Sequence, residues 1–72
     1  MKTHLYQNFN SKVKNAERKA FIIYHLTKND ITQTQIANEL NISIQAVGQF
    51  ISGKTKSKNI SDWFLTNLRI EV

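Results

Sequence analysis

The chain contains no cysteine and no proline, and it has only two glycines among 72 residues. Without cysteine there can be no disulfide and no thiolate metal site. With glycine confined to positions 48 and 53, no Asn-Gly or Asp-Gly hairpin turn exists, and apolar alternation is short-lived throughout. Acids are scarce as well. The five carboxylates (Glu17, Asp30, Glu39, Asp62, Glu71) are scattered, with no spacing that would pair an acid with a base. His4 and His25 stand too far apart in sequence to form a metal-ligand pair. No apolar run approaches the length of a membrane span, and no signal-peptide core follows Met1. These absences argue against an enzyme, a secreted mini-protein and a membrane protein. No cofactor, metal or small-molecule ligand is expected. The length fits one small domain with no room for a second core.

Positive charge is what the chain has in excess. Ten Lys+Arg against five Asp+Glu give a net charge of +5. Lys2, Lys12 and Lys14 precede the first acid, and Lys54, Lys56 and Lys58 lie in an acid-free stretch from Leu40 to Ser61. Such a distribution suits a polyanion, although small domains also carry charge of this size for solubility.

Helix boundaries are well marked. Asn15 to Lys28 carries Ala16, Ala20, Ile23 and Tyr24 at helical spacing, with Phe21 and Leu26 widening the stripe, and Asn29-Asp30 ends it. Thr32 and Gln35 form a capping box for a second helix, Gln33 to Leu40, with Ile31 and Ile36 as its hydrophobic staple. That helix should bury Ile36, Ala37 and Leu40. Asn41 tolerates the left-handed turn that follows. Ser43 caps a third helix, Ile44 to Ser52, and Gly53 stands where a C-terminal glycine belongs. Ser57 or Asn59 caps a fourth helix reaching Leu68, its buried face made of Ile60, Trp63, Phe64 and Leu68. Residues 1–14 read equally well as a short helix, from the spacing of Leu5, Phe9 and Val13, or as an extended basic arm. The expected class is all-α, with four helices or five, and a folded domain over 15–72.

Two short capped helices joined by a turn of about three residues make a helix-turn-helix, here over 33–52. Small Ala37 lets the helices cross closely, and Ile36, Leu40, Ile42, Val47 and Phe50 supply the apolar wedge between them. The stretch Gln33 to Lys56, QTQIANELNISIQAVGQFISGKTK, resembles the phage-repressor/Cro type of helix-turn-helix, the XRE or lambda-repressor-like family. The shared features are Gln33 opening the first helix, Ile36-Ala37 in its middle, Val47 and Phe50 in the second, then Gly53-Lys54. Asn41 stands in place of the turn glycine. The resemblance implies a lambda-repressor-like fold that binds double-stranded DNA. It also implies backbone contacts through Gln33, Ser43 and Lys54.

The residues themselves give a parallel reading. At 100° per residue, Val47 and Phe50 of the third helix point inward with Ile51 at their edge. Gln45, Gly48, Gln49 and Ser52 point outward, with Ile44 at the N-terminal flank. This outward face is uncharged, whereas a solvated face normally carries Lys and Glu. Gln45 and Gln49 can each offer a bidentate pair to adenine, and Ile44 can meet a thymine methyl. Ordinary surface amides and a core-edge isoleucine are the plainer alternatives. Gly48 costs ~1 kcal/mol in a helix interior, which close approach to the groove floor or close packing would compensate. Phosphate contacts are assigned to Gln33, Thr34, Ser43, Ser52, Lys54, Lys56 and Lys58, using the free N–H groups of two helix starts and the basic loop. The bland alternative for the lysines is a solvated loop, and Lys2, Lys12 and Lys14 form either a phosphate-touching arm or a tail.

One recognition helix reads few base pairs, so a homodimer is expected. Leu65, Leu68, Ile70 and Val72 are the predicted dimer surface. The leading functional expectation is a small cytoplasmic, nucleoid-associated repressor. The alternative is an adaptor that uses the same scaffold to dock a protein partner, as an antirepressor or antitoxin does. A third reading is nonspecific nucleic-acid binding, which the scarcity of outward aromatic rings disfavours.

Overall fold

The computed structural model describes the backbone of residues 3–72 and the side chains from Lys14 onward. The protein is all-α. Its helices are α1 (Thr3–Lys28), α2 (Gln33–Leu40), α3 (Ile44–Ile51) and α4 (Lys58–Leu68), with no strand among the described residues.

Capping chemistry sets where three of them begin. The Thr32 hydroxyl accepts the Gln35 amide at 3.1 Å, and the Gln35 side chain accepts the Thr32 amide at 2.7 Å, closing the capping box. The Ser43 hydroxyl accepts the Ala46 amide at 3.0 Å. Ser57, rather than Asn59, caps α4 by accepting the Ile60 amide at 3.2 Å. The helix ends follow a second rule. Asp30 (φ 57°), Asn41 (φ 57°) and Arg69 (φ 58°) take the left-handed conformation after α1, α2 and α4, and Gly53 (φ 86°) does so after α3.

α2 packs on α3, α1 on α3 and α4 on α2. The core collects Ile22 and Leu26 of α1, Ile36 and Ala37 of α2, and Val47, Phe50 and Ile51 of α3. Ile60, Trp63 and Phe64 of α4 and Ile70 of the tail complete it. Phe50 and Phe64 stack with ring centroids 6.1 Å apart, and Trp63 meets Phe64 edge-on at 5.2 Å. Leu40, predicted to be buried, is half-buried against this core. Ile51 belongs to its centre rather than its edge, at 1 % exposure.

Two expectations need correcting. Residues 15–28 do not make a separate helix, because α1 is continuous from Thr3. Neither proline nor glycine interrupts the stretch, so nothing ends the helix early. Lys2 and the side chain of Lys12 lie outside the described residues. The second correction concerns which face of α1 is buried. Ile22 and Leu26 are buried, with Arg18 and His25 half-buried beside them. Ala16, Ala20, Phe21, Ile23 and Tyr24 are exposed. The run Phe21-Ile22-Ile23-Tyr24 offers apolar groups around most of the helix, so periodicity alone does not choose a face. The buried face carries Ile22 and Leu26, with Arg18 in line with them.

Candidate nucleic-acid interface

The site begins with the turn between α2 and α3. Asn41 at φ 57°, ψ 46° sends its N–H back toward the Ala37 and Asn38 carbonyls. The Ile42 amide donates to the Ala37 carbonyl at 3.0 Å. Ala37 is 1 % exposed, so a larger side chain there would drive the helices apart. Ile42 packs partly buried against the core and fixes the entry to α3.

α3 then divides cleanly. Val47, Phe50 and Ile51 are buried, while Ile44 and Gln45 are exposed and Gly48 and Gln49 half-exposed. Gln45 and Gln49 lie one turn apart on the side opposite the core, as the helical projection requires. Ile44 is 51 % exposed, at the N-terminal flank of the outward face. Gly48 faces the start of α2. A Cβ on Gly48 would lie 3.6 Å from the Gln33 Oε1, an ordinary contact distance. Packing therefore does not demand glycine there, and Gln33, half-buried at the first turn of α2, lies beside the α3 backbone.

Thr34 and Ser43 are exposed at the two helix starts, and the Ser43 hydroxyl is already engaged as a cap acceptor. Ser52 is less available than predicted. It is half-buried, and its hydroxyl donates to the Gln49 carbonyl at 3.1 Å. Lys54 and Lys56 are exposed on the loop after α3. Lys58 differs from them. Its Nζ lies 2.8 Å from the Asp62 carboxylate, one turn along α4, so the acid just beyond the basic stretch folds back onto it. The bond and the charge of Asp62 raise the Lys58 pKa above its ordinary value, and slight desolvation opposes them.

Arg18 was not foreseen in this role. Its Nη1 donates to the Phe50 carbonyl at 2.8 Å and the Ile51 carbonyl at 3.1 Å, and its guanidinium lies 4.6 Å from the Phe50 ring centroid. A cation is thereby placed at the C-terminal end of α3, where the helix dipole is negative. Burial pulls its pKa down from the ordinary value, yet a guanidinium stays charged in proteins. The signal in the sequence was the spacing Arg18, Ile22, Leu26, which puts the arginine in line with the buried face. Asn15, one turn earlier, closes over Gly53. A Cβ on Gly53 would lie 2.9 Å from the Asn15 Oδ1. Trp63 anchors α4 to α2 by donating its indole N–H to the Glu39 carboxylate at 2.8 Å.

The predicted dimer residues do not form one free surface. Ile70 is 7 % exposed and belongs to the core of its own chain. Leu68 and Val72 pack partly buried against that core, and the Val72 carbonyl accepts the Ser61 hydroxyl at 3.3 Å. The left-handed Arg69 turns the chain back, so the apparent alternation of Leu68, Ile70 and Val72 is used intramolecularly. Leu65 alone of the four stays exposed, at 49 %.

Among the described residues, no cluster of His, Asp and Glu could hold a metal ion, and no helix is long and apolar enough to cross a membrane. Comparison of the chain with protein-family models, with curated proteins and with solved structures finds no match.

Proposed function

We propose that the protein is a sequence-reading DNA-binding regulator of the phage-repressor/Cro type, with α3 as the helix that enters the major groove. The observation that carries this reading is the outward side of α3. Gln45 and Gln49 stand there without a charged neighbour on the helix, beside exposed Ile44 and ahead of the lysines at 54 and 56. Amides at such positions suit adenine edges, and Ile44 suits a thymine methyl. Gln33, Thr34, Ser43, Lys54 and Lys56 serve the phosphates, fixing register without reading sequence. Lys58 is a weaker candidate because Asp62 occupies it, and Ser52 because its hydroxyl turns back to Gln49.

Selection from a randomised duplex pool with the full-length protein tests this reading. Enrichment of a defined site supports it, and retention of DNA without any enriched sequence refutes base reading. The adaptor reading draws on the exposure of Ile44 and Leu65, apolar residues suited to a protein partner. Salt separates the two readings. Phosphate neutralisation gives a log–log affinity slope of about −0.9 per contact, whereas an apolar docking face gives almost none.

A further inference from the structure

A cavity of about 360 Å³ opens where α1, the loop after α3 and the start of α4 meet. Small-molecule sites begin at roughly this size, about 300 Å³. Asn15 and Arg18 of α1, Phe50 of α3, Lys56 and Ser57 of the loop and Lys58 of α4 stand in its walls. Three of these side chains are cationic, and no carboxylate side chain lines the cavity. Asp62 holds the Lys58 ammonium from outside it.

Two sets of donors there are left over. A guanidinium carries five N–H groups. The Nη1 of Arg18 serves the Phe50 and Ile51 carbonyls, and its Nε and Nη2 groups have no acceptor among the described residues. The Phe50 ring, 4.6 Å from the guanidinium, and the two carbonyls hold that cation in place. The second set belongs to the main chain. The Lys54 and Thr55 amides turn back to the Gln49 carbonyl at 2.9 and 3.4 Å. The Lys56, Ser57 and Lys58 amides that follow donate to no acceptor among the described residues. The Ser57 hydroxyl accepts the Ile60 amide and keeps its own proton to donate. A half-buried fixed cation on one wall therefore faces directed N–H and O–H donors on the other, with no acid side chain between them.

We infer that this cavity takes the terminal phosphate of a small molecule, a phosphomonoester dianion. Arg18 and Lys56 supply the charge, and the amides of residues 56–58 with the Ser57 hydroxyl supply the directed bonds. A terminal phosphate offers three free oxygens and carries a charge of about −1.5 to −2 at neutral pH. It can therefore bond to both walls at once. A phosphate inside a duplex carries one charge and a sugar on each side, so it meets a surface more readily than a recess between two helices. The cavity uses no residue of the outward side of α3 and shares only Lys56 and Lys58 with the proposed DNA backbone contacts. It stands apart from that reading.

The test needs no DNA. The full chain, labelled with nitrogen-15, is titrated with inorganic phosphate at constant ionic strength while its amide resonances are followed. Saturable shifts centred on Lys56, Ser57 and Lys58 are expected. Affinity should fall by about threefold or more as the pH is lowered far enough to protonate the dianion. Dimethyl phosphate, a diester that stands in for a nucleic-acid backbone, should bind about tenfold more weakly. Arg18→Met and Lys56→Glu should each weaken phosphate binding about tenfold. Lys56 is an exposed loop residue, so its variant keeps the test open should Arg18→Met not fold. The absence of any saturable shift overturns the inference. So do shifts as large at the starts of α2 and α3, or binding unchanged by Lys56→Glu. Equal binding of dimethyl phosphate also overturns it, and assigns the cavity to a nucleic-acid backbone.

Discussion

The two glycines provide an internal contrast, because the same substitution should move stability in opposite directions. Gly48 sits inside α3 with helical backbone, and the space its Cβ would fill is open except for the Gln33 Oε1 at 3.6 Å. Gly48→Ala then gains helix propensity without a clash, a stabilisation of roughly 0.5–1 kcal/mol. Gly53 has φ 86° and would press a Cβ to within 2.9 Å of Asn15. Forcing an L-residue into the left-handed region costs about 1–2 kcal/mol. The contact adds less, because the exposed Asn15 amide can swing away. The two variants should therefore differ by roughly 2–3 kcal/mol, which for a domain of this size separates their melting temperatures by roughly 8–20 °C. Trp63 is the sole tryptophan and is 7 % exposed, so its fluorescence follows unfolding in urea directly. The m-value should not change, and Asn15→Ala in the Gly53→Ala background should recover only the smaller part of the loss. A destabilised Gly48→Ala, or a Gly53→Ala as stable as the parent, would refute the reasoning. DNA binding gives a further reading of the first variant. If the α3 backbone approaches the groove closely, Gly48→Ala weakens binding while raising stability.

Arg18→Met keeps most of the aliphatic stem and removes both carbonyl bonds. A loss of about 1–2 kcal/mol is expected by urea unfolding, discounted because the site is only partly buried, and Arg18→Lys should recover less than half. Trp63→Phe breaks the bond to Glu39 and should cost about 1–2 kcal/mol, while Glu39→Gln, which keeps an acceptor, should change little by calorimetry. Under the proposed function, Gln45→Ala and Gln49→Ala should each lose roughly 1–3 kcal/mol of base preference. Lys54→Ala and Lys56→Ala should instead weaken binding to all sequences and lower the salt slope by about one unit each; fluorescence anisotropy across salt separates these outcomes. The Lys58–Asp62 pair raises the folded-state pKa of the lysine, so its contribution is present below the ordinary value of 10.5 and is lost as pH rises through the raised value. The stability difference between the parent and Lys58→Met should hold constant through neutral pH and, on the basic side, close in strong alkali. A difference that closes near neutrality would assign it to another group.

Local chemistry was legible in the sequence, and partners across the fold were not. The caps at Thr32 and Ser43 and the left-handed Asn41 depend on neighbours within four residues, so reading the chain in order finds them. The amides of α3 follow from the same projection that buries Val47 and Phe50. The spacing of Arg18, Ile22 and Leu26 marks the buried face of α1, but Arg18 reaches carbonyls 32 and 33 residues away, and no local pattern names those partners. The tail misled for a related reason. Alternation of Leu68, Ile70 and Val72 looks like a free apolar edge until Arg69 reverses the chain and Ile70 enters the core. Lys58 pairs within its own helix because its acid lies just past the acid-free stretch.

The joint between α2 and α3 also bears on the order in which the molecule assembles. Its bonds close over five residues, as between Ile42 and Ala37, so forming it surrenders little chain entropy. Docking α1 through Arg18 joins groups 32 and 33 residues apart in sequence, a loop several times longer. The α2–α3 pair should therefore be the early nucleus of a fast, helix-dominated folding reaction, with α1 and the tail arriving after the rate-limiting step. Substitutions at Ala37 or Val47 would then slow folding, whereas those at Arg18 or Ile70 would chiefly speed unfolding. A chain built this way would have α3 in place before its longest helix settles against the core.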